Sequence, residues 1–312
     1  MKQRLISGIA LIIGLLLVVL VAPFPVFFAV FLLIACLSIW EYSKLIYNDN
    51  PNLEPTRKWR WLYMAIIIFA TLFPFFPVFS AWLAFGTDRF ANVNRLLVNN
   101  YETIMFYAMF IWLFSLVIYR RTETLMEIMH PRLVALFAAL SNGAFFAGVF
   151  AIRYYDGSTL SFNPNNSPVF MIYMFFLVAC TDSGAYFFGR AFGKTKMSPK
   201  ISPNKTLEGL LGGVFTAMIC AIIFVNFTSL SDYMVNNKRM VAFYMFTLIT
   251  VLFSVHGDLT ESFLKRRAKI KDSSNLIPGH GGVLDRLDSL QPSFMFMAYY
   301  WLFLTLDNFF TF

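Results

Sequence analysis

The chain has 312 residues, of which 58% are hydrophobic and only 13% charged, with 38 Phe and a mean hydropathy of +0.64. That composition excludes a water-soluble globular domain and leaves a polytopic membrane protein. The formal charge is +8; because the basic residues sit in short loops pinned between apolar stretches, the surplus points to anionic headgroups or nucleotide phosphates, and nucleic acid is not an expected partner.

Nine apolar stretches are long enough to cross a hydrocarbon core of about 30 Å as helix. They run from Leu5 to Val21, Val26 to Trp40, Trp61 to Phe85, Thr103 to Tyr119, Leu133 to Ile152, Val169 to Phe188, Leu207 to Phe227, Met240 to Val255 and Pro292 to Phe310. The expected fold class is therefore an all-α integral membrane bundle of about nine transmembrane helices. The first stretch follows Lys2 and Arg4, but Pro23 disfavours cleavage after Ala22, so it reads as an uncleaved helix rather than a signal peptide. The short link from Ala22 to Pro25 turns the second helix straight back. Pro74 and Pro77 each remove a backbone donor and are expected to kink the third. The segments Gly86 to Glu102 and Arg153 to Pro168 read as outward-facing connections. Cys36, Cys180 and Cys220 are too scattered and too apolar in context for a metal cluster or a disulfide frame, and read as packing residues. Asp307 has no polar company and is left out of any site.

Nine crossings put the N-terminus on the same side as Glu41 to Arg60, Arg120 to Arg132, Gly189 to Thr206 and Gly257 to Gln291, and most of the 25 Lys and Arg fall there. By the positive-inside rule that side, with the N-terminus, is cytoplasmic and the C-terminus is outside. No repeat or detachable soluble domain is visible. Residues 1–312 read as one membrane domain, with 1–168 as scaffold helices available for dimer and lipid contacts and 169–312 as catalytic helices and cytoplasmic loops.

Three constellations on the basic side carry chemistry. The first is Thr181, Asp182, Ser183, Gly184 and Tyr186. A carboxylate at membrane depth costs a few kcal/mol unless paired or bound to a cation, so Asp182 is a functional candidate, with an interhelical hydrogen bond as the plainer reading. The second is the run from Ser202 to Gly209, SPNKTLEG. Ser202 or Asn204 is expected to cap the helix that follows, and the helix amides beside Lys205 suit a phosphate; a cap with an incidental lysine is the plainer reading. Upstream, Gly189, Gly193, Lys194 and Thr195 imitate a P-loop, but the glycine spacing is one short and no strand precedes them.

The third runs from Gly257 to Asp288. As helix, Asp258, Glu261, Ser262 and Lys265 share one face, and Asp285 and Asp288 repeat the i, i+3 acidic pairing. Separated acids of this kind suit Mg²⁺, which takes one or two protein carboxylates and completes its shell with water and substrate phosphates. Lys265, Arg266 and Lys271 are placed to neutralise phosphate, and Pro278, Gly279, Gly281 and Gly282 let the backbone approach a triphosphate. His280 reads either as a hydrogen-bonding structural residue or as a participant in the chemistry.

The series Ser262, Lys265, Arg266, Lys271, Asp272, Pro278, His280, Gly281, Gly282, Asp285, Arg286 and Asp288 resembles the signature of phosphatidate cytidylyltransferases, the CDP-diacylglycerol synthases. SPNKTLEG and the stretch from Asp182 to Tyr186 resemble two further blocks of that family, so that about the last 130 residues match in order and spacing. Asn204 stands where many relatives carry a basic residue. The resemblance implies a membrane enzyme that converts CTP and phosphatidic acid to CDP-diacylglycerol and pyrophosphate with Mg²⁺, with or without a second cation, and that forms a homodimer. It implies Asp258 and Asp285 as metal ligands, with Glu261 and Asp288 as further coordination. It assigns Lys205, Lys265, Arg266 and Arg286 to phosphates, and Asp182, Ser202, Asn204, Thr206, Glu208, Ser262, Lys271, Asp272, His280, Gly281 and Gly282 to substrate contact or its support. Asp258, Asp285, Lys265 and Arg286 are the catalytic set. The lipid is expected to arrive laterally and CTP from the cytoplasm of a bacterium, at its inner membrane. The competing readings are a CTP-dependent transferase or kinase acting on another lipid, a transporter, and a structural lipid-binding scaffold. The motif of the CDP-alcohol phosphatidyltransferases is not found.

Overall fold

A computed structural model of the chain describes residues 2–46, 60–85, 90–119, 122, 124, 129–154, 167–228 and 237–305. Asp307 and most of the segment from Arg153 to Pro168 lie outside the described residues. The helices are α1 (Lys2–Leu20), α2 (Phe24–Ile46), α3 (Arg60–Leu72), α4 (Phe75–Phe85), α5 (Phe90–Ser115, continued by a 3-10 turn Leu116–Tyr119), α6 (Pro131–Tyr154), α7 (Ser167–Phe192), α8 (Leu207–Phe227), α9 (Asn237–Arg267), α10 (Leu284–Leu287) and α11 (Leu290–Thr305). A two-stranded hairpin, β1 (Lys196–Ser198) and β2 (Ser202–Thr206), joins α7 to α8. The fold is therefore helical with one small antiparallel ribbon, paired Lys196 to Thr206 and Ser198 to Ser202, which apolarity alone does not reveal.

Among the described residues five helices are long and apolar enough to cross a bilayer: Phe24–Ile46, Pro131–Arg153, Pro168–Phe192, Leu207–Phe227 and Lys238–Arg267; Ile6–Leu20, Trp61–Leu72 and Thr103–Ser115 are shorter apolar helices. Large apolar side chains such as Phe69, Phe76, Leu211 and Phe227 are exposed on the outer faces. Water does not tolerate such a surface and hydrocarbon does, so the chain is an α-helical membrane protein.

Helix α6 is the hub and packs against α2, α3, α4, α5, α7 and α11. Its small residues permit this: a β-carbon at Gly143 would stand 2.7 Å from the Ala70 carbonyl, and one at Gly148 3.1 Å from Ala298 Cβ. Close backbone approach replaces the missing hydrophobic drive between helices in lipid. On one side Phe75 and Phe150 pack edge to face at 4.7 Å between centroids, with Phe27, Phe28 and Phe146 around them.

The expected third helix is broken rather than bent. Pro74 ends α3 and α4 restarts at Phe75. Tyr101 Oη donates to the Pro74 carbonyl at 2.7 Å, so the break leaves that acceptor satisfied. Pro77 lies in the first turn of α4, where a missing N–H costs nothing, and produces no second break. Helix α5 begins at Phe90, so 90–102 is helix rather than connection; its Asn and Arg residues lower the hydropathy without opposing helix formation. Helix α2 likewise continues past Trp40 to Ile46, which carries Glu41 into the interior with 0% of its surface exposed.

Cys180 lies on α7 and Cys220 on α8, two helices that pack together, and both are free thiols. Helix α9 ends in a Schellman arrangement: the Ile270 amide donates to the Lys265 carbonyl at 2.9 Å and the Lys269 amide to that of Arg266 at 3.0 Å, with Lys269 left-handed at φ 56°.

Candidate active site

The acidic face expected on α9 forms. Ser262 Oγ donates to Asp258 Oδ1 at 3.4 Å, and Lys265 Nζ lies 2.6 Å from Glu261 Oε2 one turn away. The other blocks converge on this face. Lys205 Nζ, from β2, pairs with Asp258 Oδ2 at 2.5 Å, and Lys265 Nζ also meets Asp285 Oδ1 at 2.6 Å. Lys205, Arg286 and Asp258 are the charges that act on Asp182 of α7. Asp182 keeps exposed surface and is nonetheless closely surrounded by protein, as a group lining a recess is. Residues from α7, β2, α9 and α10 thus form one polar site. A groove of about 370 Å³ between α3 and α6, lined by Leu62, Tyr63, Ile66, Arg132, Ala135 and Leu136, includes none of them.

The acids differ in what they already hold. Asp285 Oδ2 accepts the Ser273 amide at 2.9 Å, the Ser273 hydroxyl at 2.8 Å and the Gly282 amide at 2.7 Å. Burial alone would raise its pKa, but Lys265 and these donors outweigh it and hold the carboxyl below its ordinary value. Asp288 is the opposite case. Burial, reinforced by the carboxylates of Asp258, Glu261 and Asp182, pushes it well above the usual carboxylate range, against the single amide of Ser289 that donates to it at 2.7 Å. Glu261 is 4% exposed, and neither of its oxygens takes a well-formed hydrogen bond; the contact with Lys265 is close but poorly directed.

This donor set fits a phosphate-bound Mg²⁺ better than a protein cage. Among the described residues no three His, Cys, Asp or Glu side chains are grouped to hold a metal by themselves. The ammonium of Lys265 nevertheless stands 2.6 Å from both Glu261 and Asp285, so this pair of acids already accommodates a cation.

Several expected contacts have other duties. Thr206, not Ser202 or Asn204, caps α8: it is extended at φ −126° and ψ 156° and accepts the Gly209 amide at 3.1 Å. Thr206 is the last residue of β2 and directly precedes Leu207, whereas Ser202 and Asn204 lie further back along the strand and too far from the helix start to cap it. Glu208 accepts the amides of Lys194 (3.0 Å) and Thr195 (3.1 Å), filling the P-loop-like turn with the protein's own carboxylate. The Leu207 amide donates to the Thr195 carbonyl at 2.9 Å, so the phosphate cradle expected at this helix start is closed, and Thr206 and Glu208 support the hairpin that carries Lys205.

His280 is tied to the first helix. Its Nδ1 lies 2.9 Å from Ser7 Oγ on α1, and Ser7 Oγ donates to the Pro278 carbonyl at 3.0 Å. One proton arrangement satisfies both: Nδ1–H donates to Ser7, and Ser7 donates onward. Gly279 (φ 77°) and Gly281 (φ 84°) supply the left-handed turns of this loop. Arg266, Lys271, Asp272 and Arg286 are exposed.

Sequence reasoning missed Glu41 and Arg267. Arg267, 4% exposed, donates to the Leu45 carbonyl at 3.1 Å and to that of Met129 at 2.8 Å, locking the end of α9 to the end of α2. Glu41 accepts four hydrogen bonds from the 273–284 loop. In sequence it is the first charged residue after a long apolar run, which reads as the start of a solvated loop; an acid directly behind Trp40 was the available signal.

Comparison with known proteins bears on this arrangement. The sequence profile of the cytidylyltransferase family matches residues 2–304. The phosphatidate cytidylyltransferase of Haemophilus influenzae is 34% identical over 307 residues, 97% of this chain and 99% of that protein. The phosphatidate cytidylyltransferase of Bacillus subtilis is 31% identical over 294 residues, 93% of each chain. That of Staphylococcus aureus is 44% identical over 128 residues, 41% of this chain and 45% of the relative.

Proposed function

The chain belongs to the cytidylyltransferase family, and from that premise we infer the chemistry of its site. It is a phosphatidate cytidylyltransferase: it joins CTP and phosphatidic acid to give CDP-diacylglycerol and pyrophosphate, for phospholipid biosynthesis. The observation that carries the site assignment is the convergence of Lys205, Asp258, Glu261, Lys265 and Asp285 through ion pairs of 2.5 to 2.6 Å.

An oxygen of the lipid phosphomonoester attacks the α-phosphorus of CTP; that P–O bond forms while the bond from the α-phosphorus to the bridging oxygen breaks, and pyrophosphate leaves with the electron pair. No general base is required, because the phosphomonoester is already mostly dianionic at pH 7. Catalysis is alignment and charge neutralisation. Lys205, Lys265, Arg266 and Arg286 hold phosphate oxygens. Asp258 and Asp285 would hold Mg²⁺, with Glu261 and Asp288 as further oxygen donors, and Lys265, now shared by Glu261 and Asp285, would be free to face phosphate once a metal took its place between those acids. The bound metal supplies positive charge to the phosphate oxygens. Asp182 lines the recess.

The remaining features extend the same reading. The basic-loop asymmetry supports nine crossings with the N-terminus and the site on the cytoplasmic side, the C-terminus outside, and, given bacterial relatives, the inner membrane. Residues 1–168 then serve as scaffold and dimer face, and 169–312 carry the catalytic groups of a homodimer.

Mixed micelles of the purified protein with phosphatidic acid, Mg²⁺ and α-labelled CTP should move label into the lipid, and omission of any one component should stop it. Label from γ-labelled CTP in lipid would instead identify a kinase.

A further inference from the structure

The short helix α10 positions Asp285 and Arg286, yet nothing local caps it: its N-terminal boundary residue is Val283, which offers no side-chain hydrogen bond. The missing acceptor comes from α2, more than 240 residues away in sequence. Glu41 Oε1 accepts the Val283 amide at 3.0 Å and Oε2 the Leu284 amide at 2.6 Å. The same carboxylate accepts the Ser274 hydroxyl at 2.5 Å and the Ser273 hydroxyl at 2.9 Å. The Ser273 hydroxyl also faces Asp285 Oδ2 at 2.8 Å, so one proton is shared between a carboxylate of α2 and a carboxylate of the site. Gly282 lies between them; a β-carbon there would run into both the Ser273 hydroxyl and the Glu41 carboxylate.

We infer that Glu41 is a positioning residue for cytidylyl transfer: from the N-terminal half it holds the 273–284 loop and the start of α10 so that Asp285 meets Lys265. This rests on the proposed function above. Glu41 touches no reacting atom; it acts through Ser273, Gly282 and Asp285. Only a carboxylate meets the geometry, because its two oxygens accept four donors, whereas an amide would turn its own N–H groups toward two of them. Lys44, one turn further along α2, reaches the Ser273 carbonyl at 3.5 Å and closes the same contact.

The test compares wild type with Glu41→Gln, Glu41→Asp and, as a control for mere loss of packing on the same helix, Ile39→Ala. Each is assayed in mixed micelles for kcat and for KM of CTP and phosphatidic acid, and by hydrogen exchange of the 273–284 segment without substrate. Glu41→Gln should lower kcat by about a hundredfold, the scale of a small misplacement of catalytic groups, with KM changed only a few-fold. Its exchange in 273–284 should quicken, with Glu41→Asp recovering part of both effects. Ile39→Ala should lower the melting temperature without that kcat loss or that local exchange. Ser274→Ala, which removes one donor and keeps the carboxylate, is the milder second variant if Glu41→Gln does not fold; it should show the same exchange pattern with a smaller kcat loss. Unchanged exchange, or a kcat loss no greater than that of Ile39→Ala, overturns the inference. Failure of wild type to make CDP-diacylglycerol would sink the functional reading instead, and the exchange arm still decides whether Glu41 holds the loop.

Discussion

Two glycine-bearing loops face the site, and they are closed in opposite ways. The 189–195 turn is closed locally: Glu208, a few residues downstream, takes the amides of Lys194 and Thr195. The 273–284 loop is closed at long range by Glu41 of α2 and by Asp285, which together take the amides of Ser273, Gly282, Val283 and Leu284. In both, backbone amides are given to the protein's own carboxylates. The proposed function accordingly gives phosphate recognition to side-chain cations, Lys205, Lys265, Arg266 and Arg286, rather than to a backbone nest. The difference between the loops is that the first takes its carboxylate from the helix start next to it in sequence, whereas the second depends on the packing of α2 against it.

The largest expected effect breaks the long-range loop at its acid. Asp285→Asn removes the charge that faces Lys265 and leaves one acceptor oxygen where Oδ1 meets Lys265 and Oδ2 takes three donors; it should abolish turnover, a loss of about a thousandfold or more, while the protein still folds. Wild-type-like activity would remove Asp285 from the site. The same carboxyl sets an acid limit. Its pKa is depressed below 3.8, so its stabilisation is complete above that value and is lost as the pH falls through the lower folded-state value. Exchange in the 273–284 segment, corrected for intrinsic rates, should stay flat from neutral pH to about 5 and rise only below about 4. Gly282→Ala comes next: its methyl group must displace Glu41 or Ser273, and kcat should fall about tenfold to a hundredfold with a lower melting temperature.

Breaking the local loop should matter less. Glu208→Gln leaves one acceptor for two amides and loosens the hairpin that presents Lys205, so KM for CTP should rise several-fold with kcat nearly kept. A collapse of kcat to the level of Asp285→Asn would mean that Glu208 belongs to the reacting site and that the two loops are not different in kind.

What the sequence made legible follows the same division. The face of Asp258, Glu261, Ser262 and Lys265 was readable because helical periodicity alone brings those residues together, and an irregularity at Pro74 because proline acts on its own backbone, although the expected kink is a full break. The cap of α8 was expected at Ser202 or Asn204 rather than Thr206 because β2 is made of polar residues, SPNKT, with no apolar alternation to announce a strand. Glu41 was invisible for a different reason. Its four donors, two of them backbone amides, lie more than 230 residues away, and no local pattern distinguishes an acid that enters the core from one that leaves the membrane. Hydropathy ended α2 at Trp40, whereas helix formation continues through any residue whose side chain finds donors.

The smallest effect tests whether the long-range loop is strained at its entrance. Lys269 closes the Schellman turn of α9 at φ 56°, a conformation that costs a residue with a β-carbon about 1 kcal/mol relative to glycine. Its amide donates to the Arg266 carbonyl, and that bond needs only the backbone. Lys269→Gly keeps the turn and removes the steric cost, against the greater freedom glycine gains when unfolded, so the net gain should stay below about 1 kcal/mol. Thermal unfolding should show a small rise with kcat unchanged, because the loop beyond is held by Glu41 and not by this turn. A loss of activity in a variant at least as stable would show that the left-handed lysine itself sets the direction in which the chain leaves α9 toward Ser273. The loop would then have two anchors, one at each end, in place of the single long-range one.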